Sequence, residues 1–396
     1  MRVRANVFPF LKGYNYRYHC IESKNMVYLD TAASYPLLPE VKEVLIEAFD
    51  NLYANSASSH TLGEEVSHQI NKVRELLANE IGAYPSEIIF TSGATESNNI
   101  AIKSILLTAA ATNNKKHIVT TQIEHKCIFA ITEYLVTLGY EISYVKPNSD
   151  GLITAQSVKD AIRPDTALVS VMHVNNELGT VNPIEEIGQL CFENEIIFHS
   201  DAAQSFQKVE IDVDDLNVDV MSFSAHKIGG PKGIGAVYIR DLRHRELTPV
   251  IHGAGQEGSV RGGTVAAPLI IGFGKAIEVF KSYYSDFSAN QIKRKFLEKL
   301  NFLDVQYIEN GINTLPHCIS VTLPNVDTET LVRGNESELC LAQGSACSSK
   351  EVEPSHVLTS IGLSREMADK TFRISFPLDF TNSDLEFLCN QIKRHS

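Results

Sequence analysis

Short apolar runs and longer amphipathic stretches alternate through the middle of the chain. Between about residues 85 and 240, β-branched and aromatic residues gather at 87–91, 117–121, 167–173, 195–200, 218–223 and 235–239, which predicts strands there. Stretches with a helical repeat lie between them, at 97–111 and 183–194 for example. Strands alternating with helices predict an α/β fold, a largely parallel sheet with helices on both faces. Such sheets bind ligands at the carboxyl ends of their strands, so the residues just past each strand are the ones to read for chemistry. A long helical pattern at 265–284 then leads into further strands and helices, which predicts a second, smaller α/β domain.

The chain has 396 residues, 43% hydrophobic and 21% charged, the make-up of a globular protein with a sizeable core. A net charge of -13 argues against a broad nucleic-acid surface, and no direct nucleic-acid contact is expected. No apolar run approaches the ~20 residues of a membrane span, and no secretory signal is evident. Cys20, Cys127, Cys191, Cys318, Cys340, Cys347 and Cys389 are scattered without C-x-x-C spacing. That predicts neither a zinc site nor a disulfide framework and fits a reducing cytoplasm. Arg2, Arg4, Lys12 and Arg17 precede the first acid, Glu22, but the stretch is rich in aromatics and poor in serine. An N-terminal arm packed on the body, residues 1–27, is expected rather than a transit peptide.

The chemistry gathers at the strand ends. After 87–91 comes Ser92-Gly93-Ala94-Thr95-Glu96-Ser97, small residues opening a helix whose free N–H groups can grip a phosphate. His125 follows 117–121, Asn175 and Asn176 follow 167–173, and Asp201 follows 195–200 with Gln204 just beyond. After 218–223 comes Ser224-Ala225-His226-Lys227-Ile228-Gly229-Gly230, a lysine on a short tether before a glycine-rich turn. Singly, each has an ordinary explanation: a helix cap, a core histidine, a polar turn, a surface charge. A phosphate nest, a histidine, an amide, a carboxylate and an amine on five strand ends are hard to reconcile with five ordinary explanations. Together they suit pyridoxal 5'-phosphate (PLP), whose protonated ring nitrogen needs a carboxylate and whose aldehyde needs an amine.

These segments, with Glu124-His125-Lys126, Val174-Asn175-Asn176-Glu177-Leu178-Gly179, Asp201-Ala202-Ala203-Gln204-Ser205 and Arg261-Gly262-Gly263-Thr264, resemble in order the signatures of the cysteine desulfurases. That family is PLP-dependent and has the class V aminotransferase fold, and the resemblance covers nearly the whole chain. It implies the type I fold of PLP-dependent transferases: a mainly parallel seven-stranded sheet in a large domain (28–275). A smaller α/β domain (276–396), completed by the N-terminal segment, would carry the catalytic cysteine loop. By the same resemblance Ala94, Thr95, Gln204, Ser224 and His226 would contact the phosphate or O3′, and Asn176 and Asp201 would hold the ring. His125 would stack on the ring and act as an acid/base, and Lys227 would carry the cofactor. Thr264 would reach the phosphate of the neighbouring subunit, which implies a homodimer.

Gly344-Ser345-Ala346-Cys347-Ser348-Ser349 is the discriminating segment. A cysteine among small residues suits an accessible, mobile thiol, and the segment resembles the short active loop of one desulfurase group. The resemblance implies that Cys347 takes sulfur from L-cysteine as a persulfide, leaves L-alanine, and passes the sulfur to an acceptor protein. Arg373 matches the family's arginine that clamps the substrate carboxylate, a task suited to a bidentate guanidinium, with Asn176 as a second substrate contact. Ala225 stands where many relatives have glycine, and the chain stops one helix after Arg373, without the tail that many members dock to a scaffold. The acceptor therefore stays open between iron–sulfur cluster assembly, tRNA thiolation and DNA phosphorothioation. The alternatives are another class V activity (selenocysteine lyase or small-amino-acid aminotransferase), which needs no Cys347, and a non-catalytic scaffold, which needs neither Lys227 nor Asp201. No metal is expected.

Overall fold

The computed structural model describes residues 26–108, 113–335, 338–343 and 354–396. Cys347 and the expected arm up to residue 25 lie outside the described residues. After β1 (Val27–Tyr28), the chain builds a central sheet from β2 (Ile88–Thr91), β3 (His117–Thr121), β4 (Glu141–Val145), β5 (Thr166–Ser170), β6 (Ile197–Asp201), β7 (Val220–Ser224) and β8 (Gly235–Ile239). Their order is β2-β8-β7-β6-β5-β3-β4. Every neighbouring pair is parallel except those of β8, which runs antiparallel to both β2 and β7. The short connection from Ser224 to Gly235 holds no crossover helix, so the returning strand has to reverse. Periodicity is blind to strand direction, so this reversal is not legible in the sequence. The edge strand β4 also carries a weak signal, because only Val145 in it is buried.

Both faces of the sheet are apolar. On one, Phe90, Val169, Phe198 and Phe223 meet the helices Pro39–Asn51, Thr61–Glu80 and Ala267–Asp286 through Val41, Leu45, Val73, Phe273 and Phe280. A Cβ on Gly272 would stand 2.7 Å from Leu45, and one on Gly274 2.6 Å from Val73, so these glycines let the long helix lie close. On the other face Ile118, Leu168, Val220 and Val237 pack on Ile100, Ile105, Ile128 and Ile131. Each fully buried side chain of this size stabilises the fold by roughly 1.5–3 kcal/mol. The expected helix at 97–111 opens as Ala94–Asn99 and widens into a π-helical turn at Ile100–Ser104.

A second, four-stranded sheet has the order β12-β13-β10-β9, from β9 (Ile308–Asn310), β10 (Cys318–Thr322), β12 (Ala342–Gln343) and β13 (Thr371–Ser375), all antiparallel. It has its own core around Phe296, Ile319, Phe372 and Leu388. β1 pairs in parallel with β11 (Leu339–Cys340), and Asp30 bridges to Ser375. The N-terminal segment thus lies between the two sheets. The helix Ala267–Asp286 runs unbroken through residue 275, the expected domain boundary.

Candidate active site

The carboxyl ends of β2, β3, β5, β6 and β7 surround a cavity of about 540 Å³. Ala94, Thr95, His125, Asn176, Asp201, Gln204, Ser224, His226, Lys227 and Arg373 all line it. Gly93 opens the helix at one end of the cavity with φ 145° and ψ 179°, a conformation only glycine holds without strain. A Cβ on Gly235 would stand 2.7 Å from the Gly93 Cα, so two glycines let β8 pass under this turn. The first N–H groups of the helix that follows have no partners within it. Glu96 braces the turn, accepting from the Ser92 N–H at 2.7 Å and pairing with Arg261 at 2.8 Å.

Asp201 closes β6 with both oxygens engaged: Oδ1 accepts from the Ala203 N–H at 2.9 Å and Oδ2 from Asn98 Nδ2 at 2.7 Å. These bonds fix the orientation of the carboxylate at the cavity. His125 caps the helix Lys126–Thr137, its Nδ1 accepting from the Cys127 N–H at 3.2 Å. Nδ1 therefore carries no proton, which leaves Nε2 as the atom that exchanges one. Burial lowers the His125 pKa, and the Lys227 charge adds to the effect. Lys227 leaves a single helical turn after β7, and its Nζ donates to the Ala32 and Ala33 carbonyls at 2.8 Å each. Gln204 Nε2 donates to the same Ala32 carbonyl at 2.7 Å. His226 contacts Ser34 Oγ through Nδ1 at 3.3 Å, and burial, then Lys227, pull its pKa down to about 4.

Arg373 projects from β13 rather than from the main sheet, donating to the Asn176 carbonyl at 2.8 Å and ion-pairing with Asp30. Asn176 Oδ1 is buried at the cavity without a hydrogen-bond partner. A phosphate-ready turn, an anchored carboxylate, a lysine amine and an amide with an unsatisfied oxygen form a set of polar groups that fits PLP. Thr264 is the described residue that the cavity does not gather. It is exposed and lines a smaller adjoining pocket with Ser92 and Arg261. Nor does it cap the following helix, whose cap position is Ala266.

A model of the aminotransferase class-V family matches residues 27–388. The mitochondrial cysteine desulfurase of Candida maltosa is 41% identical over 378 residues, 92% of this chain and 76% of that protein. The chain belongs to the cysteine desulfurases. Cysteine desulfurase IscS of Stutzerimonas stutzeri is 39% identical, covering 92% of this chain and 91% of its own. A solved structure described as SspA in complex with cysteine superposes with a TM-score of 0.80 at 44% identity, over 89% of this chain and 99% of that one.

Three residues of this desulfurase site carry no clear signal in the sequence. Asp30 holds Arg373, and Asn98 holds Asp201; both contacts join segments far apart in the chain. Glu124, beside His125, is fully buried. Its Oε1 accepts from Thr121 Oγ1 and from the Met172 N–H, each at 2.9 Å, while Oε2 has no partner. Burial pushes its pKa up to about 8. The folded state thus holds a proton that the unfolded chain releases near pH 4.5, so this group costs stability as pH rises from there to about 8. Glu124→Gln should stabilise the protein at pH 8 by on the order of 2–4 kcal/mol more than it does at pH 4.5. Urea unfolding at both pH values checks this; an equal effect at the two would show that Glu124 is not protonated in the fold.

No described helix is long and apolar enough to cross a membrane.

Proposed function

We propose that this enzyme converts L-cysteine to L-alanine, placing the sulfur on Cys347 as a persulfide for transfer to an acceptor protein. The observation that carries the reading is the union of Lys227, Asp201, His125 and Arg373 in one cavity. Bound there, PLP would supply an electron sink that makes the substrate Cα–H acidic. The turn at Gly93–Thr95, with Ser224 and His226, would hold its phosphate, Asp201 its ring nitrogen, Asn176 its O3′ and Lys227 its aldehyde. Arg373 binds the substrate carboxylate, its guanidinium held by Asp30 and the Asn176 carbonyl. Lys227 Nζ takes the Cα proton, and His125 Nε2 holds a proton beside the substrate sulfur.

Cys347 supplies the nucleophile. Burial pushes the pKa of all five described cysteines upward, so none of them is a ready thiolate. Both described flanks of the Cys347 segment contact residues at or next to those lining the cavity. Ala342 pairs across from Arg373, and Ser355 hydrogen-bonds Glu177, next to Asn176. Four residues from Gln343 to Cys347 can span up to roughly 14 Å. In the overall reaction the substrate Cβ–S bond breaks, an S–S bond forms on Cys347, and a proton replaces sulfur on the carbon. With L-cysteine and a reductant the purified protein should release alanine and sulfide in equal amounts. Alanine released normally from a Cys347→Ser variant would make it a lyase instead.

The enzyme acts as a homodimer in a reducing compartment, the cytoplasm. Ile46 and Phe49 on the helix Pro39–Asn51, with Tyr53 just past its end, are exposed apolar side chains, which supports a subunit contact. Thr264, beside the phosphate turn yet outside the cavity, would reach the neighbouring subunit's phosphate. Thr264→Ala should weaken PLP retention roughly three- to tenfold without unfolding the protein. In mixed dimers with Lys227→Ala subunits, the site that keeps Lys227 borrows an intact Thr264 and should bind PLP as the wild type does. Affinity that stays at the Thr264→Ala level in those heterodimers would refute the contact.

A further inference from the structure

Besides Lys227 and Arg373, the cavity wall carries a further cation, Lys232, in the glycine-rich turn between β7 and β8. Gly235, the first residue of β8, pairs with Thr91 of β2 on one side and with Ser224 of β7 on the other. Just upstream, the Ile234 carbonyl accepts from the Ala225 N–H at 3.2 Å. Gly233 lines both the cavity and the adjoining pocket that holds Ser92. Residues 232–234 therefore run between the Ser92–Thr95 turn and the start of the lysine loop, at the end of the cavity that suits a phosphate. The other charges of the cavity are engaged. Glu96 pairs with Arg261, Arg373 pairs with Asp30, Asp201 accepts from Asn98 and the Ala203 N–H, and Lys227 donates to two carbonyls. Lys232 is exposed, and among the described residues it pairs with no carboxylate.

We propose that Lys232 is a cofactor-binding residue whose ammonium, carried on the turn before β8, neutralises the phosphate of PLP. A phosphate monoester carries about 1.5 to 2 negative charges near pH 7. The backbone N–H groups of the turn at Gly93–Thr95 offer it partial charges only. His226 is neutral in the empty site, since burial, then Lys227 and Lys232, pull its pKa down to about 4. Lys227 and Arg373 serve the aldehyde and the substrate carboxylate in the proposed reaction, which leaves Lys232 as the full positive charge for the phosphate. A lysine suits the task as a point charge on a long, flexible stem. The inference rests on the reading of this cavity as a PLP site.

Comparison of PLP with pyridoxal, which has the same ring and aldehyde but no phosphate, isolates the contact. Both compounds call on Lys227 and Asp201, so the ratio of their dissociation constants reads what the phosphate alone contributes. The ratio would be measured by titrating cofactor-free wild type, Lys232→Met and Lys232→Arg with each compound. In Lys232→Met the preference for PLP should fall roughly three- to tenfold, while the affinity for pyridoxal, which also reports an intact site, stays at the wild-type value. Lys232→Arg should keep most of the preference. Added salt should weaken PLP binding less in Lys232→Met than in the wild type, because the screened charge is gone. Equal PLP-to-pyridoxal ratios in the wild type and Lys232→Met, whether both affinities hold or both fall together, would overturn the inference and leave the PLP reading standing. A wild type that binds neither compound would sink the PLP reading itself, and the inference with it.

Discussion

Lys227→Ala protein is expected to emerge colourless from desalting after loading with PLP, while the wild type keeps its visible absorbance band. In the proposed mechanism the substitution removes the amine that would hold the cofactor aldehyde and, with it, the base at the substrate Cα. Alanine formation from L-cysteine should fall roughly 10⁴-fold or more, the scale seen when a residue acting at the reacting atoms is lost. The fold should survive. Lys227 donates to the Ala32 and Ala33 carbonyls, ordinary neutral acceptors, and its loss relieves the repulsion on His226 and Lys208. Binding of free PLP by Lys227→Ala, weakened but measurable, would separate loss of the covalent hold from loss of the site. A variant that kept the band through desalting would place the cofactor amine elsewhere.

Cys347→Ser should divide the reaction at a different point. Serine preserves size but not nucleophilicity, since the thiolate is the species that attacks sulfur and a hydroxyl does not ionise near neutral pH. The variant should load PLP as the wild type does and change its absorbance on adding L-cysteine, because Lys227, Asp201 and Arg373 are intact. Sulfide and alanine release should fall about a thousandfold or more. Cys127→Ser should have little effect, since the Cys127 thiol is pushed up to about 12 and accepts a hydrogen bond from Asn98 at 3.3 Å.

The strand ends were legible because two signals coincide there: an apolar run stops, and a residue with specific chemistry follows within a few positions. Asp201, Lys227 and His125 lie where that coincidence puts them. What stays hidden depends on partners far off in sequence. The Asp30–Arg373 pair links residues from opposite ends of the described chain, and Asn98 reads as one more polar residue in a helix. Lys208 follows a glutamine in a polar turn and resembles any surface lysine until Tyr35 and Phe280 close over its ammonium. Thr264 shows the limit from the other side: its motif is clear, yet within one chain it stays outside the cavity.

The most direct test of the account is mass spectrometry of the PLP-loaded enzyme after a single turnover with L-cysteine in the absence of reductant. One extra sulfur atom on the peptide that holds Cys347, with one alanine formed for each sulfur bound, is the predicted result. Alanine formed while that peptide stays unmodified, or sulfur found on another cysteine, would contradict it.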